Sequence, residues 1–214
     1  MGGSREVQIS GYKLIIHEGD GTVDPSTGRA LTGSWLWDSA VYLAEWMAAC
    51  GGAQLAGATV LEVGAGTGLP GLLAASMGAA RVVLTDVGQL LEGLRASVAA
   101  NGQEARVEVR ELRWREAAEA ADVVLMSDVF FDAEEMEGLG RTMRTAWGAG
   151  TTGWAATEER PGVGECLEAL KREGFEATVV EESVRSLMRT AASQTPEEGE
   201  SSVFALYRIS RRLP

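Results

Sequence analysis

The sequence predicts an α/β fold: a largely parallel sheet with helices on both faces and an antiparallel C-terminal edge hairpin. Two observations carry this. Short apolar runs alternate with helical stripes from Thr59 to Leu170, an order that requires right-handed crossovers and a sheet covered on both sides. The last two runs, near Ala177 to Glu181 and Val203 to Ile209, have no helix between them and so pair antiparallel at an edge.

Val7 to Ile16 reads as an extended, partly apolar arm, followed by a Gly/Pro/Thr-rich loop from Asp20 to Gly33. Residues 1–33 are taken as an N-terminal arm or hairpin and 34–214 as the main domain. Asp38 is placed to cap the first helix, whose buried face is Ala40, Leu43, Ala44 and Met47 and whose end is Gly51-Gly52. Val60 to Val63 is a buried strand leading into a glycine-rich turn, and Pro70 starts a helix that stops near Gly78. Arg81 to Asp86 is the second strand, Leu90, Leu91, Leu94 and Val98 a helical stripe closed by Asn101-Gly102, and Val107 to Val109 the third strand. Asp122 to Met126 is the fourth. Asp132 with Glu135 then makes a capping-box-like start to a helix carrying Met136, Leu139, Gly140 and Met143. Thr152 to Thr157 is the fifth strand, and Val163, Cys166, Leu167 and Leu170 mark a helix closed by Gly174. The polar stretch before Val203 is longer than a structural connection needs and is expected to be a lid or a disordered loop.

At 214 residues, 45% hydrophobic and 23% charged, the chain fits a single globular domain. A net charge of -12 repels polyanions, so nucleic acid is not expected as a partner, and a basic protein or cationic ligand fits better. Cys50 and Cys166 are expected to be buried thiols. A single histidine, His17, argues against a His/Cys metal centre and a Ser-His-Asp triad. With no apolar run long enough for a bilayer and no signal-peptide pattern at the start, neither membrane nor export is expected, and a cytoplasmic monomer is the expectation.

Glu62-Val63-Gly64-Ala65-Gly66-Thr67-Gly68 ends the first buried strand, and Asp86 ends the next. Glycine lets the backbone approach a ligand, and a carboxylate at that strand end can accept both ribose hydroxyls. The pattern therefore reads as a nucleoside-cofactor site, the alternative being a plain strand-to-helix turn. Gly66-x-Gly68-x-x-Gly71 also satisfies the dinucleotide fingerprint. Glu62, however, stands where a pyrophosphate would meet negative charge, whereas a methionyl group bearing an ammonium and a sulfonium would be attracted. S-adenosylmethionine is favoured over NAD on this ground.

Trp35-Leu36-Trp37-Asp38, Val60 to Leu69, Leu84-Thr85-Asp86, Asn101-Gly102, Glu111-Leu112-Arg113-Trp114 and Ser127-Asp128-Val129-Phe130-Phe131-Asp132, in this order, resemble the motifs of methyltransferase family 16, the seven-β-strand protein-lysine methyltransferases. The resemblance implies a Rossmann-like, seven-stranded class I methyltransferase sheet, S-adenosylmethionine as donor with S-adenosylhomocysteine as product, and a protein substrate presenting a lysine. It also implies site residues. Trp37 would pack at the mouth, Gly64, Ala65 and Gly66 would line the methionyl and ribose side, and Asp86 would hold the ribose. Trp114 would flank the adenine, with Ser127 beside the cofactor. Asp128 is assigned to orienting the acceptor amine. Phe131 stands where the family signature Asp-x-x-Tyr has its tyrosine, so the phenol hydroxyl is absent; Phe130 and Phe131 are expected to form an aromatic wall. A small-molecule methyltransferase and a cofactor-binding scaffold without turnover are the alternatives.

Overall fold

A computed structural model describes residues 3–19, 22–23, 28, 30–186 and 201–212. Within them lies a seven-stranded sheet: β5 (Thr59–Val63), β6 (Arg81–Asp86), β7 (Val107–Glu111), β8 (Ala121–Ser127), β9 (Trp147–Glu158), β10 (Phe175–Ser186) and β11 (Ser201–Arg211). Its spatial order is β10-β11-β9-β8-β5-β6-β7. The five central and outer strands from β9 to β7 run parallel, while β11 is antiparallel to both β9 and β10. From β5 the chain winds outward through β6 to β7 and then crosses back to β8. The winding thus reverses between β5 and β8, opening a crevice at their carboxyl ends.

Alternation along the strands divides the core in two. Val60, Val82, Leu84, Val123 and Leu125 face one side, covered by α1 (Asp38–Trp46), α3 (Leu69–Ser76) and α4 (Leu91–Ala100). Leu61, Val63, Val83, Val124 and Met126 face the other, covered by α5 (Met136–Ala146) and α6 (Val163–Arg172). The N-terminal arm is a hairpin of β1 (Gly3–Ile9) and β2 (Tyr12–Glu18), turning at Ser10-Gly11. Val7, Ile9, Leu14 and Ile16 join the first core. A second short pair, β3 (Thr22–Val23) and β4 (Ala30–Leu31), follows.

Three local expectations are corrected. Asp38 is the first residue of α1 rather than its cap, Trp37 being the extended residue before it; in the first turn its charge still suits the helix dipole. Gly51-Gly52 does not end the helix. The chain passes through a π-helical turn, Met47–Gly51, into α2 (Gly52–Leu55). That wider turn rotates Cys50 off the face defined by Ala40, Leu43, Ala44 and Met47, so Cys50 is exposed while Cys166 is buried. The Ser/Thr/Glu-rich stretch lies largely outside the described residues; Ser183 to Ser186 and Ser201-Ser202 belong to β10 and β11. Among the described residues no helix is long and apolar enough to cross a membrane.

Candidate cofactor and acceptor site

The glycine loop is shaped by backbone requirements first. Gly64, Gly66 and Gly68 have φ of 66, 55 and 84 degrees, a left-handed region that side-chain-bearing residues rarely adopt. At Gly66 a Cβ would also stand 3.0 Å from the Gly33 carbonyl oxygen, so the segment entering α1 lies directly on the loop. Ala65 N donates to Thr85 O at 2.9 Å, and Gly66 N to Asp86 Oδ2 at 2.8 Å. The loop is thereby tied to the end of β6. Asp86 Oδ1 accepts from Val87 N at 2.7 Å. Burial pushes the Asp86 carboxyl above its ordinary range, against these two backbone N–H groups, which pull it down.

A cleft of about 1070 Å³ opens at this loop. Trp37, Gly64, Ala65, Gly66, Asp86, Trp114, Ser127, Asp128 and Phe131 all border it. The fold therefore brings together nine of the ten residues singled out from the sequence, from five separate stretches of chain. Trp37 is fixed by its Nε1–H, which donates to Thr32 O at 2.9 Å. Trp114 is half-buried, with its ring 5.5 Å from that of Phe131 and 3.9 Å from where a Gly64 Cβ would stand.

Glu62 is the exception. Strand alternation sends it to the same side as Val60, under the loop and against α3, where it is wholly buried and does not border the cleft. Its Oε2 accepts from Gly71 N at 2.9 Å, and its buried Oε1 has no hydrogen-bond partner among the described residues. Burial raises its pKa to about 8, with the Asp86 charge acting in the same direction. Attraction between Glu62 and a methionyl ammonium in the cleft is accordingly not what this geometry supplies; the carboxyl braces the first turn of α3. Gly71 is required for that contact, since a Cβ there would come within 2.7 Å of Oε2 and 2.2 Å of Leu84 Cδ2.

At the other end of the cleft the aromatic wall is half of what was expected. Phe130 turns inward, 1% exposed, with its ring 6.2 Å from Tyr207, whereas Phe131 is 59% exposed. Asp128 has φ of 55 degrees, uncommon outside glycine though tolerated by Asp. Its N–H donates to Ala156 O at 2.8 Å. Asp128 Oδ1 accepts from Thr157 Oγ1 at 3.1 Å and from Arg160 Nη2 at 2.7 Å. Arg113, Arg115, Asp132, Glu135 and Arg160 also border the cleft and are not named as site residues from the sequence, where Asp132 and Glu135 read as a helix cap. A signal for Arg160 was present: Glu159-Arg160 follows β9, which lies beside β8, and residues just past parallel strand ends gather at the crevice. Asp132 caps the turn Ala133–Glu135, its Oδ1 accepting from Glu134 N at 3.0 Å.

A family model described as lysine methyltransferase matches residues 22–165. Protein N-lysine methyltransferase METTL21A of Danio rerio is 37% identical over 116 residues, covering 50% of this chain and 52% of the relative. Histone-arginine methyltransferase METTL23 of Mus musculus is 38% identical over 116 residues, covering 50% and 45%. The chain spans about half the length of these curated relatives. Among solved structures, the ribosomal protein L11 methylase of Lactobacillus delbrueckii subsp. bulgaricus superposes with a TM-score of 0.55 over 81% of this chain and 77% of that one, at 18% identity. That likeness concerns the fold alone.

Proposed function

Because the chain belongs to the lysine methyltransferase family, we propose that it transfers a methyl group from S-adenosylmethionine to a lysine side chain of another protein. The observation that carries this reading is one continuous cleft with a nucleoside-type floor, the glycine loop and Asp86, at one end and Asp128 with exposed Phe131 at the other. The donor fits the residues present. Gly64 combines a φ of 66 degrees with a Cβ position 3.3 Å from Val129 Cγ1, so glycine is strongly favoured in this cradle, and Asp86 keeps acceptor capacity beyond its two backbone bonds. Trp37, Gly64, Ala65, Gly66, Asp86, Trp114 and Ser127 would hold it. When bound, it supplies an already activated methyl group on a sulfonium.

The protein's own part is to align the acceptor and exclude water. Phe131, next to Trp114, gives an apolar wall on which an aliphatic lysine stem can lie. Asp128 orients the amine. An amine at pH 7 is almost wholly protonated, having a reference pKa near 10.4, so the site must also let the proton go to solvent. In this reading the main domain, 34–214, carries the chemistry. Thr32 and Gly33, at the end of the arm, 1–33, border the cleft and with the 128–132 strand end form part of the rim through which an acceptor protein enters; the stretch 187–200 before Val203 lies outside the described residues. The net charge of -12 supports a cationic protein partner over nucleic acid or an anionic membrane, and a monomer over self-association; the cytoplasm is the compartment we propose.

The likeness to a histone-arginine methyltransferase favours arginine as the second reading. Labelling a lysate of the source cell with methyl-tritiated donor, then hydrolysing the labelled protein to amino acids, separates them. Methyl-lysine is the expected product. Methyl-arginine alone would establish the second reading, and label confined to small molecules would overturn both. Labelling that required Phe131→Tyr would favour a scaffold without turnover.

A further inference from the structure

Arg160 reaches the cleft just past the carboxyl end of β9, and its pairing with Asp128 bears on a difficulty in the lysine reading, on which this inference rests. A lone carboxylate beside a lysine stabilises the ammonium, the form with no lone pair to react. The group best placed to orient the acceptor would also hold its proton.

The structure divides the two oxygens of Asp128. Oδ1 is committed to the scaffold through Arg160 Nη2 at 2.7 Å and Thr157 Oγ1 at 3.1 Å. Oδ2 accepts no hydrogen bond from a described residue. The Asp128 side chain is 12% exposed and that of Arg160 32%, so this charge-assisted bond is partly shielded from solvent and holds geometry better than an open surface pair. We propose that Arg160 is a positioning residue that cancels the charge of Asp128, so that Oδ2 can accept an N–H hydrogen bond from the acceptor amine without retaining the amine's proton. The ammonium proton then passes to water. The freed lone pair forms the new N–C bond as the C–S bond breaks with its electrons going to sulfur.

Other charged groups face the pair. Glu158 lies 3.8 Å from Arg160 Nη1, Asp86, Asp132, Glu135, Arg113 and Arg115 border the same cleft, and Cys166 on α6 feels the charges of Asp132 and Arg160. These groups are common to wild type and variants; because Arg160 faces Glu158 at 3.8 Å as well as Asp128 at 2.7 Å, the difference between variant and wild type reports the loss of the cation beside both carboxylates, the Asp128 contact being the shorter.

The test compares wild type, Arg160→Gln and Arg160→Lys. In Arg160→Gln the rising limb of tritium transfer into lysate protein, followed from pH 6 to 10, should move up by about one pH unit, a roughly tenfold loss at neutral pH that closes at high pH. Arg160→Lys, which keeps the charge, should follow the wild-type limb. Without turnover, n-butylammonium as a lysine stand-in, titrated in the presence of S-adenosylhomocysteine, should bind several-fold tighter to Arg160→Gln than to wild type. An even loss at every pH with unchanged n-butylammonium binding would overturn the inference and leave Arg160 a structural brace. Should Arg160→Gln not fold, shown by failure to bind S-adenosylhomocysteine, a shifted limb in Arg160→Lys overturns it and an unshifted one supports it. Absence of methyl-lysine with the wild-type protein would instead remove the reading beneath, whatever the variants do.

Discussion

Two carboxyls, the buried Glu62 and the half-buried Asp86, sit on either side of the glycine loop, and their surroundings give them different work. Asp86 receives two backbone N–H groups and borders the cleft, so it both closes the loop and presents acceptor capacity to a ligand. Asp86→Ala is expected to weaken S-adenosylhomocysteine binding by about 1 to 3 kcal/mol in calorimetry, with NAD failing to bind either protein; tight NAD binding would contradict the cofactor assignment. Glu62 receives one N–H and leaves Oε1 unmatched. Its folded pKa of about 8 lies above the ordinary 4.5, so between these values the native state keeps a proton that the unfolded state has released. Stability should therefore fall as pH rises through that window, by on the order of 1 kcal/mol per pH unit. Glu62→Gln cannot ionise and should flatten the dependence. Urea midpoints measured from pH 5 to 8 check this, and parallel curves for the two proteins would show that Glu62 titrates normally.

At the scale of elements, the N-terminal hairpin is the part whose stability depends most on being docked, because two strands alone are marginal in water. One edge of β2 is finished by side chains from α4 and its C-cap: Ile15 N donates to Asn101 Oδ1 at 2.9 Å, Asn101 Nδ2 donates to Ile15 O at 2.7 Å, and His17 N donates to Ser97 Oγ at 2.9 Å. Asn101→Ala removes partners from both polar groups of Ile15 and should cost about 1 to 3 kcal/mol in denaturant unfolding. It should also open the hairpin to limited proteolysis before the sheet unfolds. This docking was not legible in the sequence, where Asn101-Gly102 reads as a helix end and as one of the family motifs, neither of which points to β2. Parallel strands were legible because each is a short apolar run between turn residues, and most of the cleft was legible because its residues stand at strand ends and at glycines. What escaped was of another kind. The Asp128 to Arg160 pair joins residues 32 apart, which no local pattern encodes. The side of the strand on which Glu62 lies follows from alternation with Val60, yet its charge drew attention to the ligand instead of to α3. The π-helical turn at Met47–Gly51 carries no sequence signal beyond small residues, and glycines that would normally stop a helix are absorbed by it.

For the molecule as a whole, the hairpin edge beside the Asp128 end of the cleft, where we propose that the acceptor enters, combines acid with exposed apolar surface. Val184 pairs with Val203 across the β10 and β11 hairpin, 72% and 41% exposed. Glu159 N donates to Val203 O at 2.8 Å, which sets this aliphatic pair beside Glu158, Glu159 and Arg160. A cationic side chain carried by a folded partner would be drawn by the overall charge of -12 and then seated against aliphatic surface. The two contributions respond oppositely to salt: the Debye length shrinks from about 8 Å at physiological ionic strength to about 3 Å at 1 M, while apolar contact is not weakened by screening. Initial rates of methyl transfer into lysate protein should therefore fall several-fold between roughly 0.05 and 0.5 M sodium chloride, as expected for a steered encounter. The dissociation constant for S-adenosylhomocysteine, proposed to bind against the glycine loop, should change less than about twofold over the same range. A parallel loss in both would indicate that salt perturbs the fold, and a salt-independent rate would mean that the acidic surface plays no part in bringing the acceptor to Asp128.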